Sequence, residues 1–462
     1  MNVLILHGYG LTGSGSAIYT RDLAEALARN GHRVDVLCHD EDLRASHPTA
    51  SIIHHNHGTN STAYLRSTGG KLTIHAVSDR EIPVMYPREE LTRGRVISDW
   101  TAQEMDEYVA RMTSISRDIV RLRDVDVVLV NHTALLCQVA DRLARQVGTA
   151  WAVISHGTGL HYGVRKIPAL AARVDAALYS AAAVVALNDA VRERIVELFP
   201  KHEARLCEVS PGVDLSLFSP QPKSKTPTVA YAGRLTLDKG IHALLAAWPM
   251  IRRCVPNAKL RLAGGGKDAA ALQSAARALT SGNLAGFMDP LRSLGVASGR
   301  HALVHPVEHF INGAPRDYAQ RARAAAGSIS FVGVLDRVGC AEHLGPAHVA
   351  VLPALVPEAF PLSILEAVSC AAIPVGTDSS GLGWLLRQVH EHDPSLGSLM
   401  VDPHPASIVT ELAQTVVSAL ETAQARPGGG SLREFAQPYS WAAVGELLLQ
   451  ATQRGALKLA HG

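Results

Sequence analysis

The chain has 462 residues, more than one ordinary hydrophobic core contains, so we expect two domains. Hydrophobic residues make up 47% of the sequence and charged residues 19%, a composition typical of soluble globular proteins. The 44 basic and 42 acidic residues give a net charge of +2, which gives no reason to expect nucleic acid or a strongly acidic partner.

Several features bear on the cellular compartment. The six cysteines form no C-x-x-C pair and show no metal-ligand spacing, which indicates reduced thiols in a cytoplasmic protein. The first residues lack a basic segment and their apolar run ends at Leu6, so we expect no signal peptide. The longest apolar segment, Ala176–Leu187, is shorter than the roughly 20 residues of a membrane span. A peripheral membrane contact stays open without being indicated, and the sequence does not fix the oligomeric state.

The chain begins with a βαβ pattern. Asn2–Leu6 is a short apolar run typical of a buried parallel strand, and Ala17–Arg29 is a predicted helix. Arg33–Leu37 is a second predicted strand. This pattern is the usual beginning of a doubly wound α/β domain.

The first loop offers an alternative interpretation. Gly8–Gly13 matches the G-x-G-x-x-G pattern of dinucleotide-binding sites. However, the helix is predicted to begin near Ser16, which leaves Gly13 in the loop. Asp40, the nearest acid at a strand end, also lies farther on than the ~20 residues expected for a ribose-binding acid. An NAD-dependent oxidoreductase is therefore a less favoured alternative.

The next segments combine histidine-rich and irregular sequence. Ile52–His57 is a predicted strand end with three histidines, but the sequence places no further ligand near them to complete a metal site. We therefore favour a role as polar surface or cleft lining. Glu81–Arg95 has scattered proline and charge, and it is predicted to be a loop.

Two later strands of the first half end in polar residues. Thr101–Leu122 is a predicted amphipathic helix, and the strand Asp126–Val130 after it ends in Asn131-His132. The strand Ala150–Ser155 ends in His156. Polar side chains at the carboxyl ends of such strands face the ligand cleft of a doubly wound domain.

A second Rossmann-like pattern follows a linker. Ser219–Thr228 is rich in proline, serine and lysine without apolar periodicity, and it is the clearest predicted linker. After it come the strand Val229–Ala232, the loop Gly233–Gly240 and the helix Ile241–Arg252. The next strand, Lys259–Ala263, ends in three glycines.

The loop Gly233–Gly240 contains Arg234 and Lys239, two cations suited to phosphate. Arginine offers a planar fork to phosphate oxygens, and lysine offers a compact charge. Two fixed cations facing a departing diphosphate would stabilise charge that develops as the bond breaks.

Residues 280–327 form a long insertion in the second half. Within it we predict a strand at His301–Val307 and a helix at Arg316–Ala326. Long connections often have a function, but a surface excursion without function stays an equal alternative. The rings and polar groups of the insertion are of the kind that bind sugars or flat acceptors, and they are Phe287, His301, His305, His309, Phe310 and Asn312. One hypothesis is a wall or lid over an acceptor.

The stretch Glu358–Glu366 has the most specific chemistry. It connects a predicted buried strand, His348–Leu355, to a predicted helix, Leu362–Ser369, with Pro361 at the expected first helical position. The amides of Phe360, Leu362 and Ser363 would lie at a helix N-terminus, where an anion is favoured. A loop carboxylate, these amides and a helical carboxylate together suit a nucleotide sugar.

The residues from Pro357 to Gly381 resemble the donor-site signature of the retaining glycosyltransferases of family 4, which has a Glu-x7-Glu motif. The resemblance implies the GT-B fold, an α/β architecture with two Rossmann-like domains facing across a cleft and a C-terminal helix crossing back to the first. It covers nearly the whole chain except 280–327, roughly 37–100 and the last few residues. The chain departs from the family pattern at Ala371, where glycine is usual, and at Ser380–Gly383, which replaces a Gly-Gly pair with a following acid.

The resemblance also implies residue roles. Glu358 would lie by the donor sugar, Glu366 would bind the ribose, and the loop around Gly233–Gly240 would clamp the diphosphate. The residues expected at the reacting centre are His156, Arg234, Lys239 and Glu358. Those expected to contact the nucleotide sugar are Gly13, Gly15, Gly264, Val334, Leu335, Phe360, Pro361, Leu362 and Glu366.

We therefore predict a glycosyltransferase that uses a nucleoside diphosphate sugar, with UDP favoured as the commonest nucleotide in the family, and that needs no cofactor or metal. The expected domains are 1–218 for the acceptor, 229–435 for the donor, and a crossover helix in 436–462. A non-catalytic sugar-nucleotide-binding protein is the alternative from another class, although Arg234, Lys239, Glu358 and Glu366 are all present.

Overall fold

The structure is a computed structural model that describes residues 1–11, 14–39, 50–56, 62–66, 70–78, 81–85, 94–157, 159–426 and 430–461. The chain divides into unit 1, which is Met1–Gly212 with Tyr439–Gly462, and unit 2, which is Val213–Pro438. Arg433 of unit 2 donates hydrogen bonds to the carbonyls of Leu215 and Phe218 at 2.7 and 2.6 Å. These bonds hold the segment after Gly212 on unit 2, whereas the predicted first domain extended to residue 218.

The strands of unit 1 are β1 (Asn2–His7), β2 (Arg33–Cys38), β3 (Ser51–Asn56), β4 (Thr62–Arg66), β5 (Leu72–Ser78), β6 (Ile82–Val84), β7 (Gly94–Val96), β8 (Val127–Asn131), β9 (Ala150–Ser155), β10 (Ala183–Ala186) and β11 (Leu206–Glu208). The helices of unit 1 before unit 2 are α1 (Gly15–Arg29), α2 (Ala102–Arg123), α3 (Leu135–Val147), α4 (Pro168–Leu178) and α5 (Asp189–Leu198).

The described strands of unit 1 form a nine-stranded sheet in the order β11-β10-β9-β8-β1-β2-β5-β3-β4. Its neighbouring pairs are parallel except β3 with β4. The buried side chains of α2 and α3, among them Met112 and Leu143, pack with Trp151 of β9 in one core cluster. The strand order reverses between β1 and β8, and α/β sheets bind ligands at such a reversal.

The predicted loop Glu81–Arg95 is wrong at both ends, because β6 and β7 pair there as a small parallel sheet. Arg95 holds the β7 end through ion pairs to Glu81 at 3.2 Å and to Glu104 at 2.7 Å. The middle of that predicted loop lies outside the described residues.

Of the predicted histidine cluster at the end of β3, His57 lies outside the described residues. The Nε2 atom of His55 lies 3.0 Å from Nδ1 of His75, and Nε2 of His75 lies 2.9 Å from Asp35 Oδ1. His75 of the neighbouring strand β5 therefore provides His55 with a hydrogen-bonding partner, and Asp35 of β2 provides one for His75.

The strands of unit 2 are β12 (Thr228–Ala232), β13 (Lys259–Ala263), β14 (Ile329–Gly333), β15 (Val349–Leu352), β16 (Ile373–Thr377) and β17 (Met400–Val401). Its helices are α6 (Ile241–Cys254), α7 (Ala269–Thr280), α8 (Leu284–Ala297), α9 (His305–Asn312), α10 (Tyr318–Ala324), α11 (Arg337–Leu344), α12 (Leu362–Ser369), α13 (Ser380–His392), α14 (Ile408–Ala425) and α15 (Gly430–Ala436).

The sheet of unit 2 is parallel and has the order β14-β13-β12-β15-β16-β17 among the described residues. Its strand order reverses between β12 and β15. Both units are thus doubly wound, and the predicted α/β architecture with two Rossmann-like domains is confirmed.

The predicted linker Ser219–Thr228 is attached to the rest of unit 2 by hydrogen bonds. The Lys223 ammonium donates hydrogen bonds to the carbonyls of Gly345, Ala347 and Cys370 at 3.2, 2.7 and 3.0 Å. Gly345 follows α11 and Cys370 follows α12, so this cation satisfies carbonyls at two helix ends. Burial lowers the pKa of Lys223 to about 8.

The insertion 280–327 is helical. The predicted strand His301–Val307 is wrong, because Pro306 occupies the first turn of α9, where proline is favoured. The predicted helix Arg316–Ala326 is confirmed as the shorter α10. Phe287 and Tyr318 are fully buried, and the Tyr318 hydroxyl donates to the carbonyl of Ala246 in α6 at 2.6 Å. The insertion is therefore part of the core of unit 2.

The last helix, α16 (Trp441–His461), belongs to unit 1. Ser440 caps it, because its hydroxyl accepts from the Ala443 amide at 3.3 Å. Trp441 packs edge-on against Tyr19 of α1, with ring centroids 4.9 Å apart. Within the described part of the chain, the helices are too short or too polar to span a bilayer.

Candidate active site

Three polar side chains at adjacent strand ends form a hydrogen-bonded chain in unit 1. His7 ends β1, Asn131 lies beside it in the register of β8, and His156 follows β9. His156 Nε2 donates to Asn131 Oδ1, and Asn131 Nδ2 donates to His7 Nδ1 at 3.1 Å. His7 Nε2 donates to the Gly10 carbonyl at 3.2 Å. These hydrogen bonds link His156 to the glycine-rich loop across the point between β8 and β1 where the strand order reverses. Sequence reasoning singled out Asn131 but missed His7, whose polar side chain at a strand end was the available signal.

Aromatic rings surround the hydrogen-bonded side chains of His7, Asn131 and His156. The His132 ring lies 4.7 Å from that of His156 and 5.0 Å from that of Tyr9, measured between centroids. Tyr19 meets His156 edge-on at 5.2 Å. His132 has a φ of 116°, a backbone conformation that residues other than glycine rarely adopt. Such strained residues are often found at functional sites.

A small, mostly apolar pocket adjoins His132. Its volume is about 20 Å³, and its lining is Gly8, Tyr9, Pro83, Met85, Ile97, Tyr108, His132, Ala134, Leu135 and Leu136. The short strand β6 and the loop after β1 therefore share this pocket with the end of β8.

His156 is a neutral group in this setting. It is almost completely buried, and burial lowers its pKa to about 4. A neutral imidazole contributes hydrogen bonds rather than charge at neutral pH.

The two predicted glycines of the first loop have different outcomes. Gly13 lies outside the described residues. Gly15 is the first residue of α1, because Ser14 is the N-cap and its hydroxyl accepts from the Ala17 amide at 3.2 Å. The helix thus begins earlier than predicted, and its N-terminus lies at the strand reversal of unit 1.

In unit 2, the loops after β12 and β15 meet through an ion pair between Lys239 and Glu358. These two strands are neighbours at the reversal of the sheet. The side chains keep exposed fractions of 13% and 19%, so both remain accessible to a ligand. Gly240 permits the close approach, since it has a φ of 70° and a Cβ there would lie 1.8 Å from the Pro353 carbonyl.

Asp238 lies between two arginines beside this pair. Arg234 is 3.6 Å from one oxygen of Asp238, and Arg300 is 3.4 Å from the other. Arg300 comes from the insertion, and sequence reasoning missed it because nothing in the local pattern connects the two segments. The Arg234 side chain is 43% exposed, so it can also meet an anion from solvent.

Gly264 packs the glycine run Gly264–Gly266 against the loop Gly233–Gly240, which contains Arg234. It has a φ of 139°, and a Cβ at this position would lie 1.8 Å from the Gly233 carbonyl. Leu235 also donates to the carbonyl of Gly265 at 2.7 Å. Only glycine allows these two loops to pack together at this edge of the sheet.

Glu366 is buried in α12 and forms an ion pair with Arg337 of α11. The Arg337 guanidinium also lies 4.7 Å from the centre of the Phe218 ring. Arg337 is a second residue that sequence reasoning missed, because its partner lies 29 positions away.

The backbone around the start of α12 follows the prediction closely. Leu362 begins the helix, but Pro361 is its N-cap rather than its first residue. The Phe360 ring is 6.1 Å from that of Trp384, and the Glu358 carbonyl accepts from the Gly381 amide at 2.9 Å. The start of α13 therefore helps to fix the Glu358 loop.

Val334 and Leu335 follow β14 on the other side of the glycine run. The Val334 side chain is 80% exposed, and its Cγ2 atom adjoins Gly265. The predicted residues of unit 2 thus share the carboxyl edge of one sheet, whereas His156 belongs to unit 1.

Comparison with family models gives the same division of the chain. A model described as a glycosyl transferase 4-like domain matches residues 14–212. Two models described as glycosyl transferases group 1 match residues 214–289 and 298–422. The chain belongs to glycosyltransferase family 4.

Curated relatives of this family 4 glycosyltransferase include the glycogen synthases of two Mycobacterium tuberculosis strains. They are 26% identical over an alignment 266 residues long, which covers 54% of this chain and 58% of each relative. The alignment therefore spans little more than half of the relatives' length.

Solved structures resemble the family 4 chain over its whole length. Sucrose-phosphate synthase from Thermosynechococcus elongatus has a TM-score of 0.61 at 20% identity and covers 100% of both chains. Anabaena HepE in complex with UDP and glucose has a TM-score of 0.60 at 13% identity, covering 98% of this chain and 99% of that one. At these identities the likeness concerns the fold, and the fold is GT-B.

Proposed function

We propose that the chain transfers a glycosyl group from a nucleoside diphosphate sugar to a hydroxyl of an acceptor, with retention at the anomeric carbon. The observation that carries this proposal is the Lys239–Glu358 pair at the strand reversal of unit 2. Such a reversal is where doubly wound sheets bind nucleotides. UDP is the favoured nucleotide, since HepE was solved with UDP and with UDP-glucose.

Lys239 and Arg234 would bind the diphosphate. In the unliganded arrangement Lys239 pairs with Glu358, and Arg234 faces Asp238 at 3.6 Å. A bound diphosphate would compete for both cations and leave the Glu358 carboxylate to meet hydroxyls of the donor sugar. The cations would then stabilise the charge that appears on the leaving diphosphate.

Glu366 would accept hydrogen bonds from the ribose hydroxyls. Its ion pair with Arg337 holds the carboxylate in one orientation within a buried site. Gly264 and the segment of exposed Val334 and half-buried Leu335 would border the base. The amides of Phe360, Leu362 and Ser363 would meet phosphate oxygens.

Unit 1 would provide the acceptor side. Because His156 Nε2 bonds Asn131, its Nδ1 is the ring nitrogen that could meet a sugar hydroxyl. Its low pKa favours a positioning role over general acid catalysis at neutral pH. We propose unit 1, which includes the C-terminal helix α16, as the acceptor domain and unit 2 as the donor domain.

The mechanism we propose needs no enzyme nucleophile. The acceptor oxygen would attack the anomeric carbon on the face that the diphosphate leaves, and a leaving phosphate oxygen would take the acceptor proton. The protein would contribute orientation and electrostatic stabilisation.

A donor-by-acceptor panel tests the proposal. The purified chain is incubated with UDP-, GDP- or ADP-sugars and candidate acceptors, products are identified by mass spectrometry, and the anomeric configuration is read by NMR. Lys239→Ala should abolish most product, whereas Lys259→Ala, an exposed lysine at the opposite end of the sheet, should not. Donor binding without hydrolysis or transfer would favour the non-catalytic alternative, and an inverted product would overturn retention.

A further inference from the structure

The insertion contains a cluster of metal-ligating side chains that the proposed glycosyl transfer does not use. His301 lies in a short 3-10 turn, and His305 and Glu308 lie in the first two turns of α9. The spacings of four and three residues place all of them on one side of the segment. One ligand atom of each lies within 4.8 Å of the others.

The two histidines already converge. His305 Nε2 lies 2.6 Å from His301 Nδ1, and the ring centroids are 4.5 Å apart. Ligand nitrogens around tetrahedral zinc lie roughly 3.4 Å apart, because each bond is about 2.0–2.1 Å long. Both rings are exposed, so small side-chain rotations suffice to open that distance and an ion can reach them from solvent.

The carboxylate of Glu308, the third ligand, is held in place by Arg292. Arg292 Nε of α8 donates to Glu308 Oε1 at 2.8 Å. This bond leaves the second carboxylate oxygen for a metal and fixes its direction, as outer partners commonly do for metal ligands. Arg292 thus connects the cluster to a different helix of the insertion.

We propose that His301, His305 and Glu308 form a zinc site. Two imidazoles and a carboxylate are a ligand set that zinc prefers, and three protein ligands leave a fourth position for water. A bound ion would tie the 3-10 turn to α9 and, through Glu308 and Arg292, to α8. The site would therefore stabilise the insertion, independently of glycosyl transfer.

Calorimetry with zinc chloride tests the site on tag-free protein that has been stripped with a chelator. The background carries Cys254→Ser, because that thiol is exposed and could bind zinc itself. We expect one zinc ion per chain, and we expect His301→Ala or His305→Ala to weaken binding by roughly tenfold or more. His309→Ala, an exposed histidine of the same helix, should leave affinity unchanged and serves as the matched control.

Two further readouts guard against misfolded variants. Cobalt substitution should give visible absorption typical of nitrogen and oxygen ligands without a thiolate band. Chelator should lower the melting temperature of the starting protein but not that of the His301→Ala, His305→Ala double variant. The proposal is overturned if the starting protein binds no zinc, or if the double variant binds it equally well.

Discussion

At the scale of single residues, Ala371 stands where the family usually has glycine. It follows the end of α12 with a φ of 59°, in the left-handed region. Two hydrogen bonds close the helix around it, from the Ala371 amide to the Val368 carbonyl at 2.9 Å and from Ala372 to Ala367 at 3.0 Å. This is a Schellman motif, which favours glycine at that position.

We predict that Ala371→Gly stabilises the protein by about 0.5–1 kcal/mol. The left-handed conformation costs alanine about 1–2 kcal/mol, which exceeds the extra entropy that glycine gains on unfolding. Urea unfolding measures the change. Ala110→Gly, at an exposed position within α2, should instead destabilise by about 1 kcal/mol. A loss of stability in Ala371→Gly would contradict the argument.

Glu366 should be needed for nucleotide affinity. If its carboxylate accepts from the ribose, Glu366→Ala loses a charged hydrogen bond of about 1.5–3 kcal/mol, which corresponds to a roughly ten- to hundredfold weaker affinity. Calorimetry with UDP provides the measurement. Glu342→Ala, an exposed acid on the adjacent α11, is the control that should bind normally. Unchanged affinity in Glu366→Ala would remove this residue from the site.

Lys239 should matter more for turnover than for binding. Its charge is most valuable when the diphosphate departs, so Lys239→Ala should lower kcat by at least about tenfold with a smaller change in KM. Steady-state kinetics with a donor found active in the panel separates the two effects. A raised KM at normal kcat would instead indicate that Lys239 only binds the ground state.

Residues with a local sequence signature could be predicted, and those defined by distant contacts could not. The local pattern places Lys239 and Glu358 in loops after strands and Glu366 about one turn into a helix, and the structure has them there. Their roles in binding stay predictions. Arg300 and Arg337 approach the same edge only through packing, because their partners are 62 and 29 positions away. Such pairs depend on how the helices stack, which one sequence does not display.

At the scale of elements, the insertion shows the same limit. The segment His301–Val307 is short and mostly apolar, as a buried strand is, but Pro306 in the first turn of α9 and the packing of α9 on α6 favour a helix. Phe287 was a candidate ligand contact from composition, yet it is fully buried and so unavailable to an acceptor. Composition could indicate that the segment is ordered, but not which side chains face inward.

We predict that Phe287→Ala destabilises unit 2 by about 3–5 kcal/mol, since it removes a fully buried ring from the core. Phe310→Ala, a half-buried ring in α9 of the same insertion, should cost clearly less. Urea unfolding of both variants gives the comparison. Equal small effects would mean that the insertion is only loosely attached, and the lid hypothesis would then regain support.

At the scale of the whole molecule, buried histidines should make the protein sensitive to acid. Burial lowers four histidine pKa values from 6.5 to about 4, and these residues are His55, His156, His242 and His343. A lowered folded-state pKa means that the unfolded chain binds more protons between pH 6.5 and 4. Stability is therefore full above pH 6.5 and decreases as the pH falls through that window.

The size of the loss in stability follows from how far the histidine pKa is lowered on folding. At pH 5 a fully buried histidine of this kind loses on the order of 2 kcal/mol. The midpoint of urea unfolding, measured from pH 7.5 to 4.5, should fall steadily. His242→Gln keeps a donor for the Leu303 carbonyl, which His242 Nε2 meets at 2.7 Å, but cannot take up a proton. Its pH dependence should be shallower, and an identical slope would exclude His242 as a contributor.

The return of α16 to unit 1 has a consequence for synthesis of the chain on the ribosome. Unit 2 is contiguous, so it can fold as soon as it has emerged. Unit 1 lacks Trp441, Val444 and Leu448, which are buried in its core, until the last helix is made. The sheet of unit 1 should therefore stay incompletely folded, with an uncovered apolar face, until α16 is made. Unit 2, although it is synthesised later, should complete its folding first. Proteolysis of ribosome-stalled chains that end at Pro438 and are extended by an unstructured linker filling the exit tunnel should find residues 213–438 protected and 1–212 cleaved. Protection of both would show that the sheet folds stably without its last helix.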